Sequence, residues 1–119
     1  MANKIDKILA SVFQRRFKSI TEEMGLTLLR TTRSPILNEA RDFVTGLYDA
    51  QGRMLEQTEY IPVLAFAVQP ALQYIVRYFG KNIFDGDVII HNDVFSGGNQ
   101  NADVAVFKPI FYNGRLVAW

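Results

Sequence analysis

Apolar residues recur every three or four positions through Ile5, Ile8, Leu9, Val12, Phe13, Phe17, Ile20, Met24 and Leu28. That spacing predicts one long helix with a single apolar stripe, from about Ile5 to about Leu29. Ser19 and Glu22 stand at capping-box spacing and Gly25 weakens the interior, so a bend or restart is expected near Ser19. Arg15, Arg16, Lys18, Glu22 and Glu23 read as a solvated face carrying helix ion pairs. Thr31 to Arg41 contains Ser34-Pro35 and Asn38-Glu39, which stop a helix and favour an irregular connection.

The period then changes from helical to alternating. Phe43 to Tyr48 alternates, Asp49-Ala50-Gln51-Gly52 supplies turn chemistry, and Arg53 to Glu56 returns as the second strand of a hairpin. Pro62 opens a second apolar segment in which Val63, Phe66, Ala67, Leu72, Ile75, Val76 and Phe79 predict a buried helix ended by Gly80, with Pro70 as an alternative start. Asp85-Gly86-Asp87 makes a turn before the apolar strand Val88 to Ile90. Val104 to Phe111 and Arg115 to Trp119 flank Tyr112-Asn113-Gly114 as a second hairpin. The expected class is α+β: a long N-terminal helix and a second helix packed on a mainly antiparallel sheet with hairpins. Trp119 falls in the middle of a strand with nothing polar to protect the edge. The expectation is an incomplete domain of a larger protein: either another polypeptide covers this edge or the chain is a fragment of a longer product.

Composition narrows the partners. The 119 residues, 49% hydrophobic and 21% charged, suit one domain around one core. Nine Phe, five Tyr and one Trp are more aromatic surface than a small core needs, so some is expected to face partners. A formal charge of +1 offers no electrostatic footprint for nucleic acid or an anionic membrane. The absence of cysteine excludes disulfides, thiolate nucleophiles and cysteine-ligated metals, and is compatible with a reducing compartment. No signal core or run of membrane-spanning length appears, so a cytoplasmic location is expected.

The candidate chemistry is concentrated between Ile89 and Asp103. An apolar strand delivers His91, Asn92 and Asp93, then Ser96, the pair Gly97-Gly98, and Asn99, Gln100, Asn101 and Asp103. Gly97 and Gly98 permit positive backbone torsions and close approach by a ligand or second chain, while the same residue types equally build a well-capped turn. His91 is the only imidazole and Ser96 its nearest hydroxyl in sequence. No nucleophile elbow, phosphate-cradling glycine loop or zinc-binding histidine pair is present. Asp93 and Asp103 straddle the glycines. They can ligate a hard cation, helped by the carbonyls of Asn92, Asn99 and Gln100, or cap the loop through backbone hydrogen bonds. Arg30, Arg33 and Arg41 surround the irregular segment with Glu39 and Asp42. Mutual ion pairing is the simpler expectation there, and an anion clamp the alternative.

Read in order, Glu22-Glu23-Met24-Gly25, Leu29-Arg30-Thr31, Ser34-Pro35, Asp42-Phe43, Asp49-Ala50-Gln51-Gly52-Arg53, Ile61-Pro62-Val63, Gly86-Asp87, Asn92-Asp93, Gly97-Gly98 and Asp103 resemble the amino-terminal region of the hydantoinase B, oxoprolinase and acetone carboxylase alpha family. The resemblance covers nearly all of residues 1–119. It implies a portion of a B-type subunit acting beside a hydantoinase A-type subunit that binds ATP, in cyclic-amide hydrolysis or in ketone carboxylation. The leading expectation for the loop then gives catalytic roles to Asp93, Asp103 and His91, with a hydrogen-bonded strand end as the alternative for His91, and substrate contacts to Asn92, Gly97, Gly98, Asn99 and Gln100. The implied metal, manganese or zinc, would retain only Asp103 here. Leu64 stands where the family commonly has His after Ile-Pro-Val, and Gln100 where it has His three positions before the aspartate. An amide is a poor replacement for imidazole as a metal ligand. Loss of both imidazoles resembles the acetophenone carboxylase branch. The rival reading is a noncatalytic module, either a scaffold docking the ATP-binding partner or a small-molecule sensor resembling a GAF or PAS domain.

Overall fold

A computed structural model describes residues 6–58 and 60–119. Helix α1 (Lys7–Thr31) begins at Asp6, whose carboxylate accepts from the backbone N–H of Ile8 at 3.0 Å and Leu9 at 3.2 Å, satisfying two otherwise unpaired donors. Ile5 lies outside the described residues. The helix does not restart near Ser19: the Ser19 hydroxyl donates back to the Arg15 carbonyl at 3.1 Å, so it serves the helix interior instead of capping a new start. The expected ion pairs of Arg15, Arg16 and Lys18 with Glu22 and Glu23 are also absent among the described residues. These side chains stand in water, where ordering two long chains outweighs a screened attraction.

Only the second half of α1 packs. Thr21 and Gly25 are buried, whereas residues 7–16 are exposed on every side. A Cβ on Gly25 would sit 3.3 Å from the Tyr60 hydroxyl and 3.7 Å from the Phe43 ring, so this glycine is a docking notch. Beside it the Thr45 hydroxyl donates to the Thr21 carbonyl at 2.8 Å and lies 3.0 Å from the Thr58 hydroxyl, which ties α1 to the strands that follow.

The connection expected to be irregular contains a short helix α2 (Pro35–Asn38), started by a proline whose missing N–H costs nothing in the first turn. Strands β1 (Gly46–Tyr48) and β2 (Met54–Gln57) form the expected antiparallel hairpin, with a bulge between Leu47 and Tyr48. Its tip rests on helix α3 (Pro62–Phe79), where a Cβ on Gly52 would approach Gln73 and Leu72 to between 3.2 and 3.3 Å. Pro70 lies inside α3 and does not start it. The carbonyl deprived of a partner belongs to Phe66, a residue on the exposed side where water can serve it. Ala65, Ala71, Leu72 and Ile75, all buried, hold the helix through the break.

Strand β3 (Ile89–His91) pairs antiparallel with β4 (Ala105–Phe107), and β5 (Ile110–Tyr112) with β6 (Arg115–Ala118). The single strand expected from Val104 to Phe111 is therefore broken at Lys108-Pro109, because the buried Pro109 has no N–H to give a ladder. Asn113 and Gly114 take φ values of 49° and 73°, the twist that a two-residue hairpin requires. Among the described residues the sheets are three two-stranded pieces. The end of the chain is not the unpaired edge expected. Trp119 N–H donates to the Tyr48 carbonyl at 2.8 Å and Tyr48 N–H to the Trp119 carbonyl at 2.9 Å, joining the last hairpin to β1.

The core is the face of α3 formed by Ala71, Leu72 and Ile75, packed on Tyr48, Ile83, Phe107 and Trp119. Burial pushes the Tyr48 hydroxyl up to about 12. The radius of gyration is 15.3 Å, above the roughly 13.5 Å expected of a compact chain this long; the unpacked half of α1 accounts for the direction of that difference.

Candidate functional site

Strand β3 places its residues alternately: Ile89 and His91 turn inward, while Ile90 is 68% exposed. Beyond it Asp93 caps a single 3-10 turn, Val94–Ser96. One Asp93 oxygen accepts from the Phe95 N–H at 3.1 Å and the other from the Ser96 hydroxyl at 2.6 Å. The Ser96 hydrogen bond, then the Phe95 N–H, hold the Asp93 carboxyl below the usual carboxylate range, assisted weakly by His91.

Ser96 is buried, and its oxygen lies 2.9 Å from His91 Nε2. The structure thus unites His91, Asp93 and Ser96, the types of a nucleophilic triad, in an order that cannot work as one. The hydroxyl proton is committed to the carboxylate, so His91 must donate through Nε2 instead of accepting the serine proton. Ser96 is the middle of the chain and His91 an end. The imidazole also lies 6.5 Å from the Tyr74 ring on α3, a neighbour that only the fold could reveal.

The glycines serve packing. A Cβ on Gly97 would fall 2.6 Å from the backbone nitrogen of Ala71 and 2.8 Å from the carbonyl carbon of Pro70. Gly97 takes φ 104°, so no other residue fits without a shift. A Cβ on Gly98 would fall 2.7 Å from the Asp93 carbonyl oxygen, which already accepts the Gly98 N–H at 3.0 Å. The close approach read from the sequence is made by α3 and by the loop itself.

On the far side, Asp103 receives the Asn99 amide at 2.8 Å on one oxygen and the Gln100 amide at 3.2 Å on the other. Asn92 donates to the Asn101 carbonyl at 2.9 Å. No group of three or more His, Cys, Asp and Glu able to hold a metal occurs among the described residues. With Leu64 and Gln100 supplying no imidazole lone pairs, the donor set here does not fit a manganese or zinc site. What the loop offers is an exposed array of two carboxylates and three amides on a scaffold fixed by hydrogen bonds. Phe95, 97% exposed at its tip, was missed in the sequence, where an aromatic between valine and serine gives no sign of its direction.

The arginines expected to pair with Glu39 and Asp42 make no ion pair with them among the described residues. Arg41, held at φ 53°, instead lies 5.9 Å from the centroid of the Tyr60 ring, an attraction of cation and ring face. No described helix is long and apolar enough to cross a membrane.

Comparison with known proteins places this geometry. Caprolactamase subunit beta of Pseudomonas jessenii is 37% identical over 98% of the chain, which corresponds to 20% of that protein. The 5-oxoprolinase 1 of Arabidopsis thaliana is 33% identical over 97% of the chain and 9% of its own length. The crystal structure of the ATP-dependent caprolactamase from Pseudomonas jessenii superimposes with a TM-score of 0.89 over 98% of this chain and 20% of that one. A nucleotide-free acetone carboxylase structure gives 0.88 at 23% identity, over 98% and 16% respectively, a likeness of fold. The chain spans a fifth or less of the length of these relatives. The family model described as hydantoinase B/oxoprolinase matches residues 6–119, and the chain belongs to that family.

Proposed function

We propose that this chain is part of a B-type subunit of an ATP-dependent hydrolase of cyclic amides, with the loop from Asn92 to Asp103 forming one wall of the reaction chamber. The observation that supports the hydrolytic reading is that the relatives above 30% identity named here are a caprolactamase and a 5-oxoprolinase, whereas the carboxylase is related at 23%. In this reading Asp93 and Asp103 orient substrate or take a proton from it. Asn92 and Gln100 hold its polar atoms, and His91 donates through Nε2 to fix Ser96 and Asp93. The exposed Asn99 and Gln100 amides set the direction of the Asp103 oxygens. ATP, bound on a hydantoinase A-type partner, would supply activation of the amide toward attack. Nothing in the proposal routes through a metal.

Turnover of the assembled complex after Asp103→Asn tests it. A loss of about 100-fold is expected if Asp103 handles a proton in the reaction, and unchanged turnover removes it from the mechanism. Ketone carboxylation is the second reading. It is favoured by Leu64 and Gln100, which depart from the histidine pattern, and carboxylation of a ketone by the same complex would establish it.

A further inference from the structure

The β3–β4 hairpin is apolar on both faces. Its inner face sends Ile89, Ala105 and Phe107 against the α3 core. On its outer face Ile90 and Val106 are direct cross-strand partners, 68% and 62% exposed, and Val88 and Val104, each immediately preceding its strand, are 57% and 58% exposed. A sheet face meant for water alternates with Thr, Lys or Glu, whereas four β-branched aliphatics are the signature of a sheet covered on both sides. Two-stranded sheets are also marginal by themselves, and the described residues form three.

We propose that the outer face of β3–β4 is an internal packing surface, covered by a further apolar layer of a longer hydantoinase B-type polypeptide. The occupant is argued from two facts. The matched portion is 20% of the caprolactamase beta subunit and 9% of the oxoprolinase, so the relatives possess several times this length of additional chain. The face presents neighbouring aliphatic side chains, with a charge only just beyond β4 at the exposed Lys108, a composition suited to permanent cover more than to a partner that must part back into water. The inference rests on family membership and is independent of which reaction the complex performs.

The test exploits the absence of cysteine from the chain. Val106→Cys, and as a control Asn113→Cys at the exposed hairpin tip, are introduced into the 119-residue chain. Both are also introduced into a full-length caprolactamase beta subunit whose matched portion is replaced by this chain. Thiol labelling is followed by peptide mass spectrometry. Position 106 is expected to label at least about tenfold more slowly in the full-length protein than in the isolated chain, with position 113 equally fast in both. Equal rates at 106 overturn the proposal. So does slow labelling of the isolated chain that speeds up on dilution, since a second copy would then be the occupant. If the replacement protein does not fold, the isolated chain decides. A monomer that binds a hydrophobic dye, and loses that binding but not its helicity on Ile90→Lys with Val106→Lys, supports the proposal. A dimer dispersed by the same pair overturns it.

Discussion

Two loops in this molecule start from the same device and end differently. In the turn between β1 and β2, one oxygen of Asp49 accepts the N–H groups of Gln51 and Arg53, each at 2.9 Å, and the other meets the Arg53 guanidinium at 2.6 Å. In the loop after β3, Asp93 likewise takes a backbone N–H on one oxygen, but its second oxygen meets a hydroxyl, and Asp103 meets two neutral amides. The first loop neutralises its carboxylate. The second orders its carboxylates without cancelling their charge, leaving them able to act on something else. Donor identity, more than the presence of an aspartate, separates a structural turn from a candidate site.

The comparison breaks most severely at Gly97. Gly97→Ala must displace the backbone of Pro70 and Ala71 and hold a positive φ, and a loss of about 3 kcal/mol in thermal or denaturant unfolding is expected. Gly114→Ala, in open space at φ 73°, should cost about 1 kcal/mol from the torsion alone. Equal costs would mean that the loop is not seated on α3.

The long periodic segments were legible because burial imposes a repeat, and α1 and α3 appear where the spacing of Ile, Leu, Val and Phe predicts them. What could not be read depended on partners distant in sequence. Pro70 looks like a helix start until Ala71, Leu72 and Ile75 are seen holding the helix through it. Lys108-Pro109 looks continuous until β4 and β5 turn out to pair with different strands. In the loop, the types at His91, Asp93 and Ser96 announced polar chemistry, but their order of hydrogen bonding was invisible. The seat of Gly97 requires knowing where α3 lies. The family resemblance was carried by ordered short motifs and needed no tertiary information.

Asp49→Asn tests the neutralised loop. The side chain is mostly covered and accepts two backbone N–H groups, so a loss of about 1–2 kcal/mol is expected, similar to removal of a helix cap, with turnover of the assembled complex unchanged. Ser96→Ala tests the other loop and should cost about 1 kcal/mol. It also frees His91 Nε2 and one Asp93 oxygen together, so the imidazole resonances should move in the NMR spectrum at fixed pH. Unmoved resonances would show that the hydroxyl does not bridge the two.

The smallest effect comes from the ion pair itself. Arg53 is 70% exposed and its pairing is screened, so Arg53→Gln should cost only about 0.5 kcal/mol, and less in high salt. Burial tends to raise the Asp49 carboxyl, but the hydrogen bonds from Arg53 and Gln51 outweigh it and the net shift is downward; Asp93 is lowered chiefly by Ser96. Both carboxyls are lower in the folded chain than in the unfolded one. Each therefore adds stability that is complete above the ordinary carboxylate range and is lost as pH falls through the folded value. Amide exchange at Gln51 and Phe95, followed from neutral pH downward, should reveal both losses. Added salt should weaken protection more at Gln51 than at Phe95, because Asp49 meets the full charge of Arg53 whereas His91 assists Asp93 only weakly. An equally large salt response at Phe95 would mean that Asp93 is held as strongly by a cation as Asp49 is, and the distinction between the two loops would fail.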